Sequence, residues 1–375
     1  MTKKVWHLCS NRWNSAVTEY CLSTNRSLEL AGWSNLLTAL EAKPCAERAK
    51  SYGLAVKTVT SFKLSALFQL LSIYRDFRPD LIIVYGGPET FLSKFFVGTP
   101  VVRFRGLDRD FQEPPKPLSY KLSQSHIRAV IAPSQTLAHK FKGLQKICGS
   151  VTLGVDTQKF HFDSSYYEKQ KRPVLTILGR LDPVKGHGAF FLWFSLLLRS
   201  WPEGTPKPLL KIIGEAANVS EEHLKGFAED VGLVLGDDWL FINERLDDIA
   251  QELSSCHVGV ICSQGSEVIC RVAEEFLLCG APIFVSGVGS LEDCLYDSDA
   301  GLSYRDLPGN EAVEALKSLL LASFNESTEA RESRALRSKR HFSMEAMGSS
   351  LDQFLAQVGP SHLRGLEPSA PPTKP

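Results

Sequence analysis

Hydrophobic residues recur in two alternating spacings along this chain, and the alternation predicts a parallel α/β architecture. Residues 81–85 and 258–262 are uninterrupted apolar runs, the kind of strand that a parallel sheet buries on both faces. Between such runs lie longer segments with helical spacing, for example residues 64–78, which Pro79 ends. Strands that alternate with helices are typical of βαβ units. We therefore predict doubly wound, Rossmann-like sheets.

The same hydrophobic pattern predicts strands and helices along the whole chain. In the first half it predicts strands at residues 3–9, 36–40, 55–60, 81–85, 100–104, 129–132 and 151–153, and helices at 14–30, 64–78 and 137–144. Ser134 is a suitable N-cap for the last of these helices. In the second half it predicts strands at 174–178, 209–213, 240–242, 258–262 and 282–285, and helices at 186–200, 219–231, 246–254, 267–279, 310–324 and 343–358.

The length of 375 residues favours two domains rather than one core. Residues 156–172 break the periodicity, so we predict a linker there between a first domain at 1–155 and a second at 173–342. The helix at 343–358 follows the second domain. Residues 359–375 contain five prolines and predict a disordered tail.

Composition narrows the class of protein. A hydrophobic fraction of 43% and a charged fraction of 22% are those of a soluble globular protein. The longest apolar run, residues 189–198, is half of what a bilayer span needs, and the first residues lack a signal-peptide core. Nine cysteines include no Cys-x-x-Cys pair. We therefore expect a cytoplasmic protein with reduced core cysteines, no disulfide framework and no metal site.

The net charge of zero conceals an asymmetry between the two halves. Residues 1–150 contain 21 Lys and Arg against 10 Asp and Glu, a net of +11, which leaves −11 for the remainder. This distribution points to an anionic partner for the first half, or to attraction between the halves. We expect no nucleic-acid partner. A peripheral contact with an anionic membrane surface is consistent with the charge.

Two carboxylates stand eight residues apart after the apolar run 258–262. If Glu267 lies in the loop that ends this strand and Glu275 lies in the following helix, both can face one crevice. Carboxylates accept several hydroxyl hydrogen bonds, so such a pair suits a polyhydroxylated ligand. The alternative is one loop acid and one solvated helix acid.

Cations and glycines end the strands upstream. Gly179 ends one strand and is followed by Arg180 and Lys185 just before a helix N-terminus, where anions bind well. Gly214 ends a neighbouring strand, and Gly289 lies in a Gly-x-Gly loop that could meet an anion or a sugar. This arrangement can hold a diphosphate without a P-loop. Two solvated cations in a loop are the alternative.

The order of these motifs resembles the donor-binding half of family 4 retaining glycosyltransferases of the GT-B fold. The resemblance covers roughly residues 130–345 and rests on Gly179-Arg180 with Lys185-Gly186, Gly214-Glu215, Glu267-x7-Glu275 with Cys279-Gly280-Ala-Pro282, Gly289-x-x-Glu292 and the segment Leu153-Gly154-Val155-Asp156-Thr157-x-x-Phe160. It implies two Rossmann-like domains that face a central cleft. It also implies that the last helix packs back on the first domain.

The resemblance assigns roles residue by residue. Arg180 and Lys185 would hold the donor diphosphate, Glu267 the transferred sugar, and Glu275 the ribose. A catalytic set of Arg180, Lys185 and Glu267 and a donor-binding set of Gly179, Gly214, Glu275, Gly289 and Glu292 follow from it. The implied reaction is a retaining, metal-independent hexosyl transfer from a UDP- or GDP-linked sugar, with no other cofactor.

The first domain departs from the family pattern. It lacks the usual glycine-rich loop after the first strand, and Arg105 stands where the family often has a histidine. Candidates for contact with an acceptor or a phosphate are Ser15, Gly86, Gly87, Arg103, Arg105 and His126. The alternatives are a solvated basic face and, for His126, a packing role.

We therefore predict a glycosyltransferase whose acceptor is a glycan or a glycolipid, such as lipopolysaccharide, at the inner face of a membrane. The rival hypothesis is a non-catalytic nucleotide-sugar-binding or scaffold protein of the same fold. A phosphorylase or epimerase would need a lysine-bound cofactor or another acid pair. The Asp-x-Asp triplets at 108–110 and 297–299 could suggest a metal, but neither follows the sheet pattern of GT-A enzymes, so we expect none to bind.

Overall fold

A computed structural model of the chain describes residues 3–107, 124–142, 147–243, 246, 248–265 and 267–360. These residues form two compact units. One unit contains the chain up to Gly154 and from Met344 onward, and the other contains Val155–Ser343. Each unit is built on a parallel sheet, so the predicted α/β class with two doubly wound, Rossmann-like units is confirmed.

The first unit has a seven-stranded sheet in the order β3-β2-β1-β4-β5-β6-β7. The strands are β1 Lys4–Cys9, β2 Ser34–Leu40, β3 Val56–Val59, β4 Leu81–Val84, β5 Val101–Phe104, β6 Ile127–Ala132 and β7 Cys148–Ser150. The helices are α1 Ala16–Leu30, α2 Pro44–Ser51, α3 Leu67–Phe77, α4 Gly87–Leu92 and α5 Gln135–Phe141. All neighbouring strands are parallel, which places their carboxyl ends at one edge.

The order of the strands reverses between β1 and β4. Both strands are almost wholly buried, as continuous apolar runs in a two-sided sheet should be. Two hydrogen bonds join polar side chains inside this core: Trp6 donates its indole N–H to Thr38 Oγ1 at 2.9 Å, and His7 Nδ1 shares a 3.0 Å hydrogen bond with the Tyr85 hydroxyl.

The C-terminal helix Met344–Val358 belongs to this first unit and packs along α1. Gly348 makes the approach possible, because a Cβ there would lie 2.3 Å from the carbonyl oxygen of Ser27. Asp352 on the same helix accepts from Lys3 Nζ and from the Trp33 indole, both at 2.7 Å. The helix therefore covers a face of the first sheet's helical layer although it follows the second unit in sequence.

The second unit has a six-stranded sheet in the order β10-β9-β8-β11-β12-β13. The strands are β8 Val174–Leu178, β9 Leu209–Ile213, β10 Trp239–Ile242, β11 Val258–Ile261, β12 Ile283–Val285 and β13 Gly301–Ser303. The helices are α6 Ser164–Tyr167, α7 His187–Arg199, α8 Glu221–Asp230, α9 Ile249–Ser254, α10 Arg271–Leu278, α11 Gly309–Phe324 and α12 Thr328–Phe342; we call the C-terminal Met344–Val358 α13.

Three differences from the predicted elements have physical causes. The last strand of the first unit is β7 at Cys148–Ser150 rather than 151–153, because residues 148–150 pair with β6. The helix predicted from residue 267 begins at Arg271. Helix α12 escaped prediction because its sequence is mainly polar: its inner face buries Arg331 and Arg334.

The predicted linker has structure of its own. Residues 156–172 contain α6 and belong to the second unit, and Tyr167 on α6 donates its hydroxyl to the Ser323 carbonyl at 2.9 Å. The predicted tail lies beyond residue 360, outside the described residues, apart from its first two positions. Among the helices that the structure describes, none is long and apolar enough to cross a membrane.

Candidate functional site

Loops at the carboxyl edge of the six-stranded sheet bring the predicted donor residues together. Gly179 directly follows β8, Gly214 follows β9 and Ser263 lies two residues beyond β11. Because the strands are parallel, these loops share one edge, the place where ligands bind in open α/β sheets. Gly214 has φ of 154°, and a Cβ there would lie 2.2 Å from the Gly179 carbonyl oxygen. Glycine is therefore required for the two loops to meet.

The centre of this edge is an ion pair between two predicted residues. Lys185 Nζ lies 2.5 Å from Glu267 Oε1, and the Ser263 hydroxyl donates to the same oxygen at 2.5 Å. The Glu267 side chain is 9% exposed and that of Lys185 is 27% exposed. A lysine ammonium has three donor hydrogens, so Lys185 can bind Glu267 and still donate toward an anion.

The turn before α7 fixes the position of Lys185. Lys185 ends a short 3-10 helix whose N-cap, Asp182, accepts from Val184 N–H at 3.2 Å and from the Asn218 amide at 2.8 Å. These hydrogen bonds hold the pKa of Asp182 below its ordinary value. Gly186 follows with φ of 75°, and a Cβ there would lie 2.2 Å from the Cys262 carbonyl oxygen. The lysine is thus pressed against the end of β11 by a turn that only glycine permits.

The glycine loop after β12 packs on the backbone of Glu267. Gly289 has φ of 65°, and its missing Cβ would stand 2.0 Å from the Glu267 carbonyl oxygen. The next residue, Ser290, donates its N–H to that same carbonyl at 2.9 Å. Gly289 therefore supports the loop that carries Glu267.

Glu275 lies on α10, one turn after Arg271, and the two side chains pair. Arg271 Nε donates to Glu275 Oε1 at 2.8 Å; the carboxylate side chain is 7% exposed and the guanidinium side chain 44%. The ion pair keeps a buried carboxylate on the helix and leaves part of a planar cation exposed. The spacing of the two acids allows either a pair that faces one crevice or one loop acid and one solvated helix acid. In the structure both Glu267 and Glu275 are buried and paired with cations.

A cavity of about 120 Å³ lies inside this ring of groups. It is lined by Ile177, Leu178, Lys185, His187, Val260, Ile261, Cys262, Ser263, Glu267, Ile269, Cys270, Arg271, Val272, Ala273 and Leu291. A neighbouring, more apolar pocket of about 250 Å³ is lined by Trp193 and Tyr304 among others. Two cations, the Glu267 carboxylate and the first turn of α10 surround one space, which suits an anion that also carries hydroxyl groups. Glu275 is not among the residues that line this cavity.

Two titratable groups beside the cavity are held neutral by burial. Burial, with a smaller contribution from Lys185, lowers the pKa of His187 to about 4. Burial, together with the adjacent Glu275, raises the pKa of Glu274 to about 8. One imidazole nitrogen of His187 and one carboxyl oxygen of Glu274 make no hydrogen bond to any described residue.

Arg180 and Glu292, the remaining predicted donor residues, lie at the margin. The Arg180 side chain is 65% exposed and makes one contact of 3.4 Å with Asp182. Glu292 accepts from the Ser303 hydroxyl at 2.7 Å and pairs with Arg305 at 2.8 Å, beside β13. Neither side chain lines the cavity around Glu267.

In the first unit, Ser15, Gly86 and Gly87 lie at the carboxyl edge of the seven-stranded sheet. Ser15 precedes α1 and accepts from the Asn11 amide at 2.7 Å, while Gly86 and Gly87 open α4 after β4. Glu89 on α4 is fully buried and accepts from Ser10 N–H at 3.0 Å. Burial, with the Cys9 sulfur close by, raises the pKa of Glu89 to about 7.

The three basic candidates of the first unit have different surroundings. Arg103 is the third of the four residues of β5, and its buried guanidinium donates to Gln124. His126 stands just before β6, at the amino end of that strand, and shares a 2.8 Å hydrogen bond with Ser93. Arg105 directly follows β5. Burial, then Lys94, lowers the pKa of His126. The Arg105 guanidinium lies 4.4 Å from the centre of the Phe141 ring.

The Asp-x-Asp triplet at 297–299 is engaged with arginine. Arg337 contacts Asp297 Oδ2 at 3.5 Å and also pairs with Asp299, so both carboxylates already face a cation. The other triplet, residues 108–110, lies outside the described residues.

Sequence reasoning missed Ser263, Arg271 and His187 as lining residues. For Ser263 a signal existed, because it stands just past a buried strand and should open on the ligand edge. Arg271 and His187 gave none, because their part in the site depends on where α10 and α7 begin.

Comparison with known proteins bears on the fold and on the class of protein. The family model "Glycosyl transferases group 1" matches residues 158–337. No curated protein sequence matches the chain significantly. Among solved structures, Anabaena HepE in complex with UDP is 17% identical, covers 95% of this chain and 100% of its own, and has a TM-score of 0.74.

Two further structures have the same fold. A glycosyltransferase from Rickettsia africae is 12% identical over 94% of this chain and 98% of its own, with a TM-score of 0.73. The apo form of the lipopolysaccharide outer core galactosyltransferase WaaB is 11% identical over 94% and 99%, with a TM-score of 0.68. The chain therefore has the GT-B fold, and this fold and the family match together support a glycosyltransferase.

Proposed function

We propose that the protein transfers a hexose from a nucleotide diphosphate-sugar to a glycan or glycolipid acceptor, with retention of anomeric configuration and without a metal ion or other cofactor. The observation that carries the proposal is the Lys185–Glu267–Ser263 cluster at the carboxyl edge of the second sheet. It places an ammonium next to a buried carboxylate that can accept sugar hydroxyls. A solved structure of similar fold is a complex with UDP, so a UDP-linked sugar is the first donor to test.

In this proposal Lys185 and Arg180 hold the diphosphate, and the first turn of α10 adds its free N–H groups. Glu267 binds hydroxyls of the transferred sugar and Glu275 those of the ribose. Gly179, Gly214 and Gly289 let backbone approach the donor, and Glu292 supports the Gly289 loop through Ser303 and Arg305. Because Arg271 pairs with Glu275, Arg271 must either rotate away when Glu275 binds the ribose or contact the donor itself.

The chemistry breaks the bond between the anomeric carbon and the diphosphate oxygen and forms one from that carbon to an acceptor hydroxyl oxygen on the same face. The acceptor proton leaves with the diphosphate. Negative charge develops on the departing oxygen, and preorganised cations stabilise it most in a dry site. Lys185, which is largely buried, is placed for that task, whereas Arg180 must move from its exposed position.

We further propose that the acceptor is bound at a membrane and that the protein works at the inner face of that membrane. The charge of +11 over residues 1–150 supports this, as do large apolar side chains exposed on the first unit: Leu64, Phe68, Phe91, Phe95 and Val97. Lysine and arginine near an anionic leaflet contribute about 1 kcal/mol each. The acceptor candidates Ser15, Gly86 and Gly87 lie at the carboxyl edge of the same unit.

The experiment is a thermal-shift panel of UDP-, GDP- and ADP-linked sugars, followed by mass-spectrometric detection of donor hydrolysis. A ligand at 100 times its Kd stabilises the folded state by about 2.7 kcal/mol, so the correct donor should raise Tm by several degrees and be slowly hydrolysed. Stabilisation without any turnover would favour the rival, a non-catalytic nucleotide-sugar-binding protein. No stabilisation by any nucleotide sugar would refute the proposal.

A further inference from the structure

Three cysteines far apart in sequence converge in the first unit. Cys9 ends β1, Cys21 lies in α1 and Cys45 lies in the first turn of α2; their sulfur atoms all lie within 4.8 Å of one another. Each of the three is 0% exposed. We propose that these sulfurs bind a thiophilic divalent ion of the Zn²⁺ type, a site separate from the donor-binding edge of the second unit.

The geometry needs little change to take such an ion. Zn–S bonds of about 2.3 Å in a trigonal or tetrahedral arrangement put the sulfurs about 3.8–4.0 Å apart. The sulfurs already approach within 4.8 Å, so each has to move by less than about 1 Å. All three positions lie in regular elements, namely the end of β1, the second turn of α1 and the first turn of α2, and α1 packs on α2.

The surroundings favour the thiolate form of one of these residues. Cys45 stands at the second position of α2, where the helix N-terminus and Arg48 both attract negative charge. Thiolates are the ligands that soft and borderline metals prefer.

A buried carboxylate adjoins the cluster. Glu89 is fully buried, and its Oε1 accepts from the N–H of Ser10, the residue after Cys9. Its Oε2 has no hydrogen-bond partner among the described residues. An unpaired buried carboxyl oxygen is costly unless something else binds it, although this oxygen lies outside the group of atoms that are within 4.8 Å of one another. Among those same residues no histidine, fourth cysteine, aspartate or glutamate joins the three sulfurs within 4.8 Å, so a water molecule would complete a four-coordinate site.

A bound ion would brace the loop after β1. Cys9 and Ser10 begin this loop, which reaches Ser15, and Glu89 links it to the start of α4. The site would therefore fix the carboxyl edge of the first sheet. It could not be recognised from sequence, because the three cysteines are 12 and 24 residues apart and follow no metal-binding spacing.

The test uses the full chain, purified with reductant and stripped with a chelator, and titrated with Co²⁺. We expect one equivalent to produce thiolate-to-cobalt charge-transfer absorption, which Zn²⁺ then abolishes by displacement. Cys9→Ser, Cys21→Ser and Cys45→Ser should each remove the signal. Cys148→Ser, which changes a partly exposed thiol of the same unit, should leave it intact.

A second measurement needs no variant, so it decides the matter even if the serine variants fail to fold. The ¹¹³Cd nuclear magnetic resonance shift of the cadmium-loaded, unmodified protein reports how many sulfurs bind the ion, and we expect three. Failure of the folded protein to bind Co²⁺ or Cd²⁺ stoichiometrically would overturn the proposal. So would a cadmium shift typical of fewer sulfurs, or cobalt binding that survives Cys21→Ser.

Discussion

At the residue scale, the site owes its shape to glycines and to buried acids whose contacts the sequence does not show. Gly186 and Gly289 could be proposed from sequence as loop residues, but the contacts that demand them, with the Cys262 and Glu267 carbonyls, appear only in three dimensions. Glu274 was not predicted at all. Its neighbour Glu275 was placed by its spacing from Glu267, whereas nothing in the sequence says that Glu274 faces the core.

Glu274 should make stability fall as pH rises. Its folded-state pKa of about 8 lies above the ordinary value of 4.5. Between these two pH values the unfolded chain has released the proton while the folded chain keeps it. The free energy of unfolding therefore decreases as pH rises, by at most about 1.4 kcal/mol per pH unit. Glu274→Gln cannot ionise. We expect the free energy of unfolding of this variant, measured with urea, to increase relative to that of the parent between pH 5 and pH 8.

The matched control is Glu229→Gln, which changes an exposed glutamate of the same unit. Its difference from the parent should be the same at both pH values. A pH-independent difference for Glu274→Gln as well would mean that Glu274 is not buried as a neutral acid.

Gly289→Ala should disturb the Glu267 loop. The new Cβ would stand 2.0 Å from the Glu267 carbonyl oxygen, at a φ of 65°. We expect a loss of about 1–3 kcal/mol in unfolding free energy and weaker donor binding. Gly226→Ala, inside α8 where nothing lies within 4 Å of the added Cβ, should instead stabilise by about 0.5–1 kcal/mol. Equal effects of the two changes in thermal denaturation would contradict this account.

At the element scale, periodicity predicted the strands and helices that have long apolar runs or stripes, and it missed the short helix α2 and the polar helix α12. Strands such as β4 and β11 are continuous apolar runs, and α3 has an apolar stripe. Helix α12 instead buries Arg331, which donates to the Cys256 carbonyl at 2.6 Å and lies 4.3 Å from the Tyr167 ring centre. Such a helix forms because tertiary partners satisfy its arginines, which no local pattern records.

Truncation of Arg334, a buried side chain of α12, should cost more stability than truncation of the partly exposed Arg337 on the same helix. It donates to the Gly280 carbonyl at 2.8 Å and pairs with Glu326, and its side chain is 5% exposed. Arg334→Ala leaves that carboxylate and that turn without their partner, so we expect a loss of about 3–5 kcal/mol.

Arg337→Ala, on the same helix, provides the comparison. The Arg337 side chain is 33% exposed, and its ion pairs with Asp297 and Asp299 are partly solvated, so the loss should be about 0–1 kcal/mol. Urea denaturation of both variants checks the order. A loss for Arg334→Ala no larger than for Arg337→Ala would show that the buried network does not hold the Gly280 turn.

At the scale of the whole molecule, the fold class and both sheets could be predicted, because βαβ patterns dictate parallel order. The assignment of each segment of the chain to one of the two units was harder to predict. The segment 156–172 lacks periodicity but belongs to the second unit, and α13 returns to the first unit through Gly348, a contact that local sequence does not encode. The donor side of the site was predictable because its residues follow strands. The surroundings of the basic candidates of the first unit were not predictable, because the partners of Arg103 and His126, which are Gln124 and Ser93, come from other parts of the chain.

The proposed membrane contact predicts binding to anionic vesicles. The full chain should sediment with vesicles of phosphatidylglycerol and phosphatidylcholine and be released by salt, because surface electrostatics are screened. Phe68→Asp, which changes a side chain that is 85% exposed on α3, should weaken binding. Phe227→Asp, an exposed aromatic of the second unit, should not. Salt-independent binding, or equal loss in both variants, would contradict the contact.

The central claim is that Lys185 and Glu267 hold a nucleotide diphosphate-sugar, and calorimetric titration of the donor found in the thermal-shift panel tests it most directly. We expect Lys185→Ala to weaken donor binding at least about ten-fold, which corresponds to about 1.4 kcal/mol, while Lys339→Ala, an exposed lysine of the same unit, binds like the parent. If Lys185→Ala and Lys339→Ala both bind donor with the parent's affinity, the site is not where this structure places it.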